Sequence, residues 1–258
     1  MKISITILIL FLITHAVCGQ FPFEKYPAIN YNSFITWTKT DKQKKYKLVI
    51  PEFFKDKDTL LIKLTKIRNN KTYSGFKEDS CIFRLYKNNK FLLSFTEIQY
   101  PDIDFPNIVI NDSIRLADFN GDKFNDLKFI FRGIGNGRYN LYTDIIYLFQ
   151  MNDCSLTKLF FQDLYFRDEN RLERDFDGDG NFEIVTMSFQ GFGTNNYLLF
   201  NLYDYLDVGL VNVNYKDNYP IMTQILYQEK ENYKITDKLT REKMKQFAKK
   251  LPDFYDKK

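Results

Sequence analysis

The stretch from 118 to 131, Asp-Phe-Asn-Gly-Asp-Lys-Phe-Asn-Asp-Leu-Lys-Phe-Ile-Phe, places an acidic loop directly before an apolar run. The same order returns 57 residues later, from 175 to 189, as Asp-Phe-Asp-Gly-Asp-Gly-Asn-Phe-Glu-Ile-Val-Thr-Met-Ser-Phe. A glycine pair follows each apolar run, at Gly133 and Gly135 and again at Gly191 and Gly193. Three matching features in the same order indicate a structural repeat.

Short apolar runs outside the repeat predict further β-strands. The turn sequence Lys87-Asn88-Asn89-Lys90 predicts an antiparallel hairpin between the runs 82–86 and 91–95. The chain is therefore expected to be all-β. The remaining predicted strands are 45–50, 60–64, 127–131, 144–149, 184–189, 197–203, 208–213 and 221–227.

The C-terminal segment changes its apolar period and predicts one amphipathic helix. Thr240 would be its N-cap, with a hydrophobic staple from Leu239 to Met244, and Pro252 stands near its end. Its basic outer face is expected to be solvated. The apolar positions at helical spacing are Met244, Phe247, Ala248 and Leu251.

The N-terminus has the pattern of a secretory signal peptide. Lys2 precedes the apolar run 3–13, and small residues follow at 16–19. Cleavage after Cys18 or Gly19 is consistent with the pattern, and a lipidated Cys18 is the alternative. The run is shorter than the roughly 20 residues of a spanning helix, so export is predicted without a membrane span. The location would be periplasmic, cell-surface or secreted.

Composition limits the functions that an exported form of this chain can have. The only histidine, His15, lies in the predicted signal, which excludes Ser-His and Cys-His catalysis and histidine-containing zinc sites in the mature chain. The net charge is +4, and dispersed lysines such as those at 42–47 favour solvated faces over nucleic-acid binding. Cys81 and Cys154 are expected to form a disulfide, and two buried thiols are the alternative.

Each acidic loop places oxygen donors at alternate positions, as a calcium site of six to eight oxygens requires. The glutamate that an EF-hand has at position twelve is replaced by Phe129 and Thr186. Ordinary polar turns are the alternative, which the repeated spacing disfavours. The predicted ligands are Asp118, Asn120, Asp122, Asp126 and the carbonyl of Phe124 in the first loop, and Asp175, Asp177, Asp179, Glu183 and the carbonyl of Asn181 in the second.

Both loops, each leading into a strand, resemble the calcium loops of FG-GAP and VCBS-type repeats. The second matches closely, with Gly178 and Gly180, whereas the first has Lys123 where the family has glycine. The resemblance covers about residues 112–215 and implies calcium binding and a β-propeller-like fold, complete or incomplete. Four blades of 57 residues would fill the 239 residues that follow the signal.

The regions expected on this basis are 1–19 as signal, 20–111 as a β-rich region, 112–235 as the repeat region and 236–258 as helix and tail. The second loop is expected to bind calcium more tightly, because it has four carboxylates against three and glycine at position six.

The function expected is a non-catalytic, protein-binding module stiffened by calcium. The chain is also similar to bacterial periplasmic proteins that inhibit lysozyme-type peptidoglycan hydrolases as immunity proteins. That similarity implies a hydrolase as partner. An adhesive or carbohydrate-binding role is the alternative, and a glycoside hydrolase is a further one, with candidate carboxylates Asp144, Asp163, Asp168 and Glu169.

Overall fold

The computed structural model of the chain describes residues 21–34, 37–40, 45–73, 76–99, 114–131, 142–164, 171–206, 209–214, 219–225, 233–235, 242–243 and 245–257. The predicted signal peptide and the first glycine pair lie outside these ranges. In chain order the strands are β1 (Asn32–Phe34), β2 (Thr38–Lys39), β3 (Lys45–Ile50), β4 (Leu60–Tyr73), β5 (Phe76–Lys87), β6 (Lys90–Gln99), β7 (Ile114–Ala117), β8 (Asp126–Phe131), β9 (Tyr142–Gln150), β10 (Leu156–Leu164), β11 (Ile184–Phe192), β12 (Asn195–Leu206), β13 (Gly209–Asn212), β14 (Ile221–Ile225), β15 (Tyr233–Ile235) and β16 (Asp253–Lys257).

These strands form three antiparallel sheets, and the all-β prediction is confirmed. The N-terminal sheet has the order β2-β3-β4-β5-β6, and the predicted β5–β6 hairpin is confirmed. Its turn residues Asn88 and Asn89 both have positive φ. The central sheet has the order β1-β7-β8-β9-β10-β16. The C-terminal sheet has the order β11-β12-β14-β15, with β13 paired to β12.

The central sheet is buried on both faces because its neighbours cover it from two sides. Strand β8 shows the alternation: Leu127 and Phe129 belong to a core shared with the N-terminal sheet, whereas Ile130 belongs to a core shared with the C-terminal sheet. Successive side chains of a strand point to opposite faces, so a strand covered on both sides becomes continuously apolar. This accounts for the apolar run that follows the first acidic loop.

The outer face of the C-terminal sheet is covered by the N-terminal residues of the described chain. A 3-10 helix, Pro22–Lys25, begins at a proline, and Phe23 packs against Phe200 with 5.4 Å between ring centroids. Tyr26 contacts Phe176, the second residue of the second acidic loop, at 4.3 Å. The N-terminal segment therefore packs against the second acidic loop through this ring contact.

No sheet closes on itself within the described residues, so the ring of a propeller is not seen. The edges of the central sheet are instead formed by β1 and β16, from the two ends of the described chain. Residues from the predicted N-terminal and C-terminal regions thus enter the same sheet as the first repeat.

The extended amphipathic helix predicted for 240–251 is not seen. The described part of this segment has two α-helical residues at 242–243, a 3-10 helix, Lys245–Phe247, and then β16. Backbone groups of Lys249 are bound to side chains of β12 and β13: its N–H donates to Asn201, and its carbonyl accepts from Tyr203 and Asn212. These bonds replace the i to i+4 pattern, and Asp253–Lys257 pairs with the edge of β10. Predicted helix residues 236–241 and 244 lie outside the described ranges.

The expected disulfide is wrong, because Cys81 and Cys154 are not bonded to each other. Cys81 lies in the core of the N-terminal sheet, and the thiol of Cys154 contacts Lys87, six residues further along β5. Six residues of strand span about 20 Å, whereas bridged cysteines have Cα atoms within about 7 Å.

Among the described residues there is no helix with the length and apolar character needed to cross a membrane.

Candidate metal centre

The two acidic loops are the turns of equivalent antiparallel pairs. The first joins β7 to β8 and is closed by the pair Ala117 and Asp126. The second is closed by a bridge between Arg174 and Glu183, with backbone hydrogen bonds of 3.1 and 2.9 Å. The same loop positions, counted from Asp118 and Asp175, are therefore held together in both copies.

Hydrogen bonds inside the loops also repeat position by position. The position-one carboxylate accepts the N–H of position six, and the position-five carboxylate accepts the N–H of position seven. Position three accepts the N–H of position five, and position nine accepts the N–H of position two. The bonds, first loop before second, are Lys123 N to Asp118 at 2.8 Å and Gly180 N to Asp175 at 3.2 Å; Phe124 N to Asp122 and Asn181 N to Asp179, both 2.8 Å; Asp122 N to Asn120 and Asp179 N to Asp177, both 3.3 Å; Phe119 N to Asp126 at 3.0 Å and Phe176 N to Glu183 at 2.9 Å.

Backbone angles confirm the turn that the sequence predicts. Position four has φ +77° in both loops, at Gly121 and Gly178. Position six has φ +90° at Gly180 and +70° at Lys123. Lys123 therefore holds a left-handed conformation that disfavours a residue with a Cβ atom.

The carboxylate at position nine is buried in both loops and accepts the N–H of position two in each. Asp126 has no exposed surface, and its two oxygens accept the N–H groups of Phe119 and Gln150. Burial raises the pKa of Asp126 well above its usual range, and Asp122 and Asp118 raise it further. In the second loop Glu183 is 1% exposed and accepts the N–H of Phe176.

Gln150 is a supporting residue that sequence reasoning missed. Its side chain accepts the N–H of Lys55 at 2.7 Å and donates to the carbonyls of Phe53 and Asn125. It thereby ties the turn after β3, the first acidic loop and β9 together. No local pattern marks this glutamine, because its partners are 25 to 97 residues away.

The second loop brings carboxylates together. Oxygens of Asp175, Asp177 and Glu183 lie within 4.8 Å of one another, and this is the one such acidic group found among the described residues. Asp179 is not part of this group, and both of its carboxylate oxygens accept hydrogen bonds from Asn181. Three of the four predicted carboxylates therefore meet at one point.

The first loop places its donors less favourably. Asp122 is bound by Phe124 N–H and by the Asn120 amide, whose nitrogen donates to it at 3.1 Å. One oxygen of Asp118, Oδ1, is buried and has no hydrogen-bond partner in the described part of the chain. A buried carboxylate oxygen without a donor is unfavourable unless a cation binds it, so the residues of this loop fit a metal ion as well.

The two loops are neighbours in space. Gly121 lies against the side-chain oxygen of Asn181, so closely that a Cβ atom at 121 would overlap it. A buried ion pair also joins them, from Lys128 at the exit of the first loop to Glu173 before the second. The candidate site is thus a pair of adjoining loops.

The partners of the ion pair between the loops shift the pKa values of both of its members. Burial opposes the charge, but the Lys128 ammonium and hydrogen bonds from Lys128 and Tyr147 lower the pKa of Glu173. Burial lowers the pKa of Lys128 despite Glu173, with Arg115 and Arg171 adding repulsion. Neither residue was singled out from the sequence, since a lysine in an apolar run gives no sign of its partner.

The candidate hydrolase carboxylates have structural roles where the structure describes them. Asp163 is buried, pairs with Arg171 at 3.1 Å and accepts the N–H of Met187 at 2.8 Å. Asp144 accepts the side-chain amide of Gln162. Asp168 and Glu169 lie outside the described residues. The second glycine segment is a hairpin turn between β11 and β12, with Gly193 at φ +58°.

Comparison of the chain with protein-family models, with curated proteins and with solved structures gave no match. The interpretation of the two loops therefore depends on their own residues and geometry.

Proposed function

We propose that this chain is an exported, non-catalytic protein-binding module whose two adjoining acidic loops bind calcium. The observation that carries the proposal is the convergence of Asp175, Asp177 and Glu183 within 4.8 Å. Three carboxylates at that separation repel one another, and a hard divalent cation replaces this repulsion with attraction.

The second loop would hold calcium through these three carboxylates and the carbonyl of Asn181. Asp179 joins the set only after releasing the Asn181 amide, which donates to it at 3.0 Å. The first loop would contribute Asp118, whose buried oxygen has no donor among the described residues. Bound calcium would supply positive charge and fix the loop carboxylates in one arrangement.

A propeller-like arrangement of the sheets belongs to the same proposal. Two features support it: the stacking of three antiparallel sheets and the repetition of one loop with the same hydrogen bonds in the second and third sheets. In such an arrangement each sheet is one blade, and metal loops stiffen the same end of neighbouring blades.

The calcium proposal is tested by melting the mature protein with calcium and with a chelator. Calcium should raise the melting temperature, since a ligand that binds only the folded state stabilises it. Asp177→Ala should remove most of the gain, whereas Glu242→Ala, which removes an exposed carboxylate outside the loops, should retain it. An unchanged melting temperature, with no metal in the purified protein, would refute calcium binding.

Calorimetry separates the two sites. Wild type should show a tighter and a weaker binding event, with the tighter event lost in Asp177→Ala and kept in Asp122→Ala. This order follows from the carboxylates that converge in the second loop. Loss of the tighter event in Asp122→Ala would assign the stronger site to the first loop.

A peptidoglycan hydrolase is the partner that the resemblance implies, and it belongs to this proposal as a test case. A panel of lysozyme-like hydrolases should include at least one that the calcium-loaded protein binds and inhibits. Undiminished activity and no association across the panel would favour a surface adhesive or carbohydrate-binding role instead.

A further inference from the structure

The N-terminal sheet has two faces of opposite character. Side chains such as Leu48, Ile62 and Phe83 point inward and form the core against the central sheet. Alternate residues on the same strands point away from the central sheet. This outer face, from β3 to β6, is here called the cationic face, and its residues include Lys47, Lys63, Arg84, Val49, Leu61, Ile82, Tyr86 and Phe91.

Three cations stand side by side across the cationic face. Lys47 is the register partner of Lys63, and Lys63 is the register partner of Arg84. Neighbouring strands lie about 4.8 Å apart, and like charges directly opposite destabilise a sheet. None of the three has an ion-pair partner among the described residues, and Lys63 rests over the ring of Tyr86 at 4.5 Å. The fold alone gives no reason for this row.

A row of apolar side chains lies beside the cations. Val49 pairs with Leu61, Leu61 with Tyr86, and Tyr86 with Phe91. Val49 is 47% exposed and Phe91 is 53% exposed, and the Tyr86 and Phe91 rings contact edge to face at 5.9 Å. On these strands, the described side chains of this face are cationic, uncharged polar or apolar. Exposed apolar surface next to unpaired charge is typical of an interaction site.

We propose that the cationic face binds an acidic surface of a partner protein. Charge complementarity requires carboxylates opposite Lys47, Lys63 and Arg84, and the apolar row requires aliphatic or aromatic groups beside them. This inference rests on the proposed protein-binding function and adds the chemistry of the partner. It does not depend on calcium, because no residue of the acidic loops belongs to this face.

A nucleic acid fits the same face poorly. Single strands bind by stacking bases on exposed aromatic rings. Here the Tyr86 ring is covered by the Lys63 ammonium and Phe91 meets it edge to face. The aliphatic surface of Val49, Leu61 and Ile82 offers nothing to a phosphodiester backbone, whereas it suits the core of a protein interface.

The test compares wild type with the double variant Lys63→Glu/Arg84→Glu and with Lys243→Glu as the matched control, since Lys243 is exposed in the C-terminal segment. Each protein is used in full mature form to capture partners from the exported fraction of its native cells. Carbodiimide then joins a lysine amine to a carboxylate in contact with it, with loss of water, and the linked residues are sequenced. Wild type and Lys243→Glu should both capture a protein linked from Lys47 or Lys63 to its Asp or Glu residues, and the double variant should retain less than a tenth of it.

Folding of the variant is followed separately. Lys63→Glu alone should raise the melting temperature by about 1–3 °C, because a glutamate between Lys47 and Arg84 turns two repulsive pairs into attractive ones. A fall in melting temperature would overturn the repulsive-row argument.

Three capture results overturn the proposed surface. If the double variant captures as much protein as wild type, the protein-binding function is supported but the interface lies elsewhere on the chain. Links to a second copy of this chain, or captured nucleic acid in place of protein, replace the partner proposed here. No captured protein with any variant refutes both this surface and the protein-binding function.

Discussion

The two acidic loops share one backbone and one hydrogen-bond pattern, yet they use their carboxylates differently. In the first, Asp126 is committed to two backbone N–H groups, one of them from Gln150 in β9. In the second, Glu183 accepts the N–H of Phe176 and lies within 4.8 Å of Asp175 and Asp177. The second loop therefore gathers negative charge at one point, whereas no such group is found among the described carboxylates of the first.

This difference separates what a repeat conserves from what it can change. The positions of the turn are shared, because position four has the same positive φ in both loops. The charges are not, because Asn120 stands where the second loop has Asp177. We therefore expect the calcium-dependent effects of substitutions to be larger in the second loop than at the equivalent positions of the first.

The largest effect is expected from the ion pair that joins the loops. Lys128→Met should lower the free energy of unfolding by about 3–5 kcal/mol, because it leaves the buried Glu173 carboxylate without its ammonium partner. The double variant Lys128→Met/Glu173→Leu should recover much of that loss. Urea unfolding of the four proteins of this cycle measures the coupling. A single variant as stable as wild type would show that Tyr147 and Arg115 are sufficient to hold Glu173.

The next effect contrasts the two carboxylates at position nine. With chelator present, Asp126→Ala should cost about 2–4 kcal/mol, since it leaves two buried backbone N–H groups without an acceptor. Glu183→Ala should also lower stability in chelator, because it takes the acceptor from the buried N–H of Phe176. The two variants should differ in calcium: Glu183→Ala should lose more of the calcium-dependent stabilisation, because Glu183 belongs to the group of converging carboxylates. Equal losses of calcium-dependent stabilisation in the two variants would remove the distinction between the loops.

Much of the fold was predictable from the sequence. The run 45–50 forms a strand with one buried face, and the run 184–189 forms a strand that is buried on both faces. Strand β10 was missed because Lys158, Gln162 and Asp163 interrupt its apolar pattern. Strand β16 was missed because it depends on the free edge of β10, which no local propensity reveals.

For the candidate site, the sequence predicted the two loops and their turn but not the long-range contacts that hold them. Alternate oxygen donors gave the candidate ligands, which stay a prediction, and the turn chemistry gave the positive φ at position six that Lys123 adopts. The double role of Asp126 depends on Gln150, 24 residues away, and the ion pair joins Lys128 to a residue 45 positions later. Contacts at such separations arise from the order of strands, which the pattern of single residues does not specify.

A smaller effect tests the contact between the loops. Gly121→Ala should be less stable than Gly178→Ala, although both positions have φ +77°. A methyl group at 121 would overlap the Asn181 side chain, whereas one at 178 has open space. The left-handed backbone costs both variants about 1 kcal/mol, and Gly121→Ala should lose about 1 kcal/mol more as Asn181 gives up its bond to Asp179. Equal unfolding free energies by urea denaturation would mean that Asn181 moves freely.

The smallest effect concerns position six of the first loop. Lys123 lies at φ +70°, where a side chain costs about 1–2 kcal/mol, and glycine there loses about 0.5–1 kcal/mol through its more flexible unfolded chain. Lys123→Gly should therefore raise the free energy of unfolding by about 0.5–1 kcal/mol. The gain should appear with chelator, because the angle is held by the bond from Lys123 N–H to Asp118 and by the buried Asp126, neither of which needs calcium. The calcium affinity of the first loop should then change by less than about threefold, since the strain is relieved equally in both forms.

Gly180→Ala is the reverse control, because its Cβ would meet no atom within 4 Å and only the φ of +90° opposes it. If Lys123→Gly instead leaves stability in chelator unchanged and raises calcium affinity about five- to tenfold, the left-handed turn forms only when the ion binds, and the first loop is a metal site that folds around its ligand.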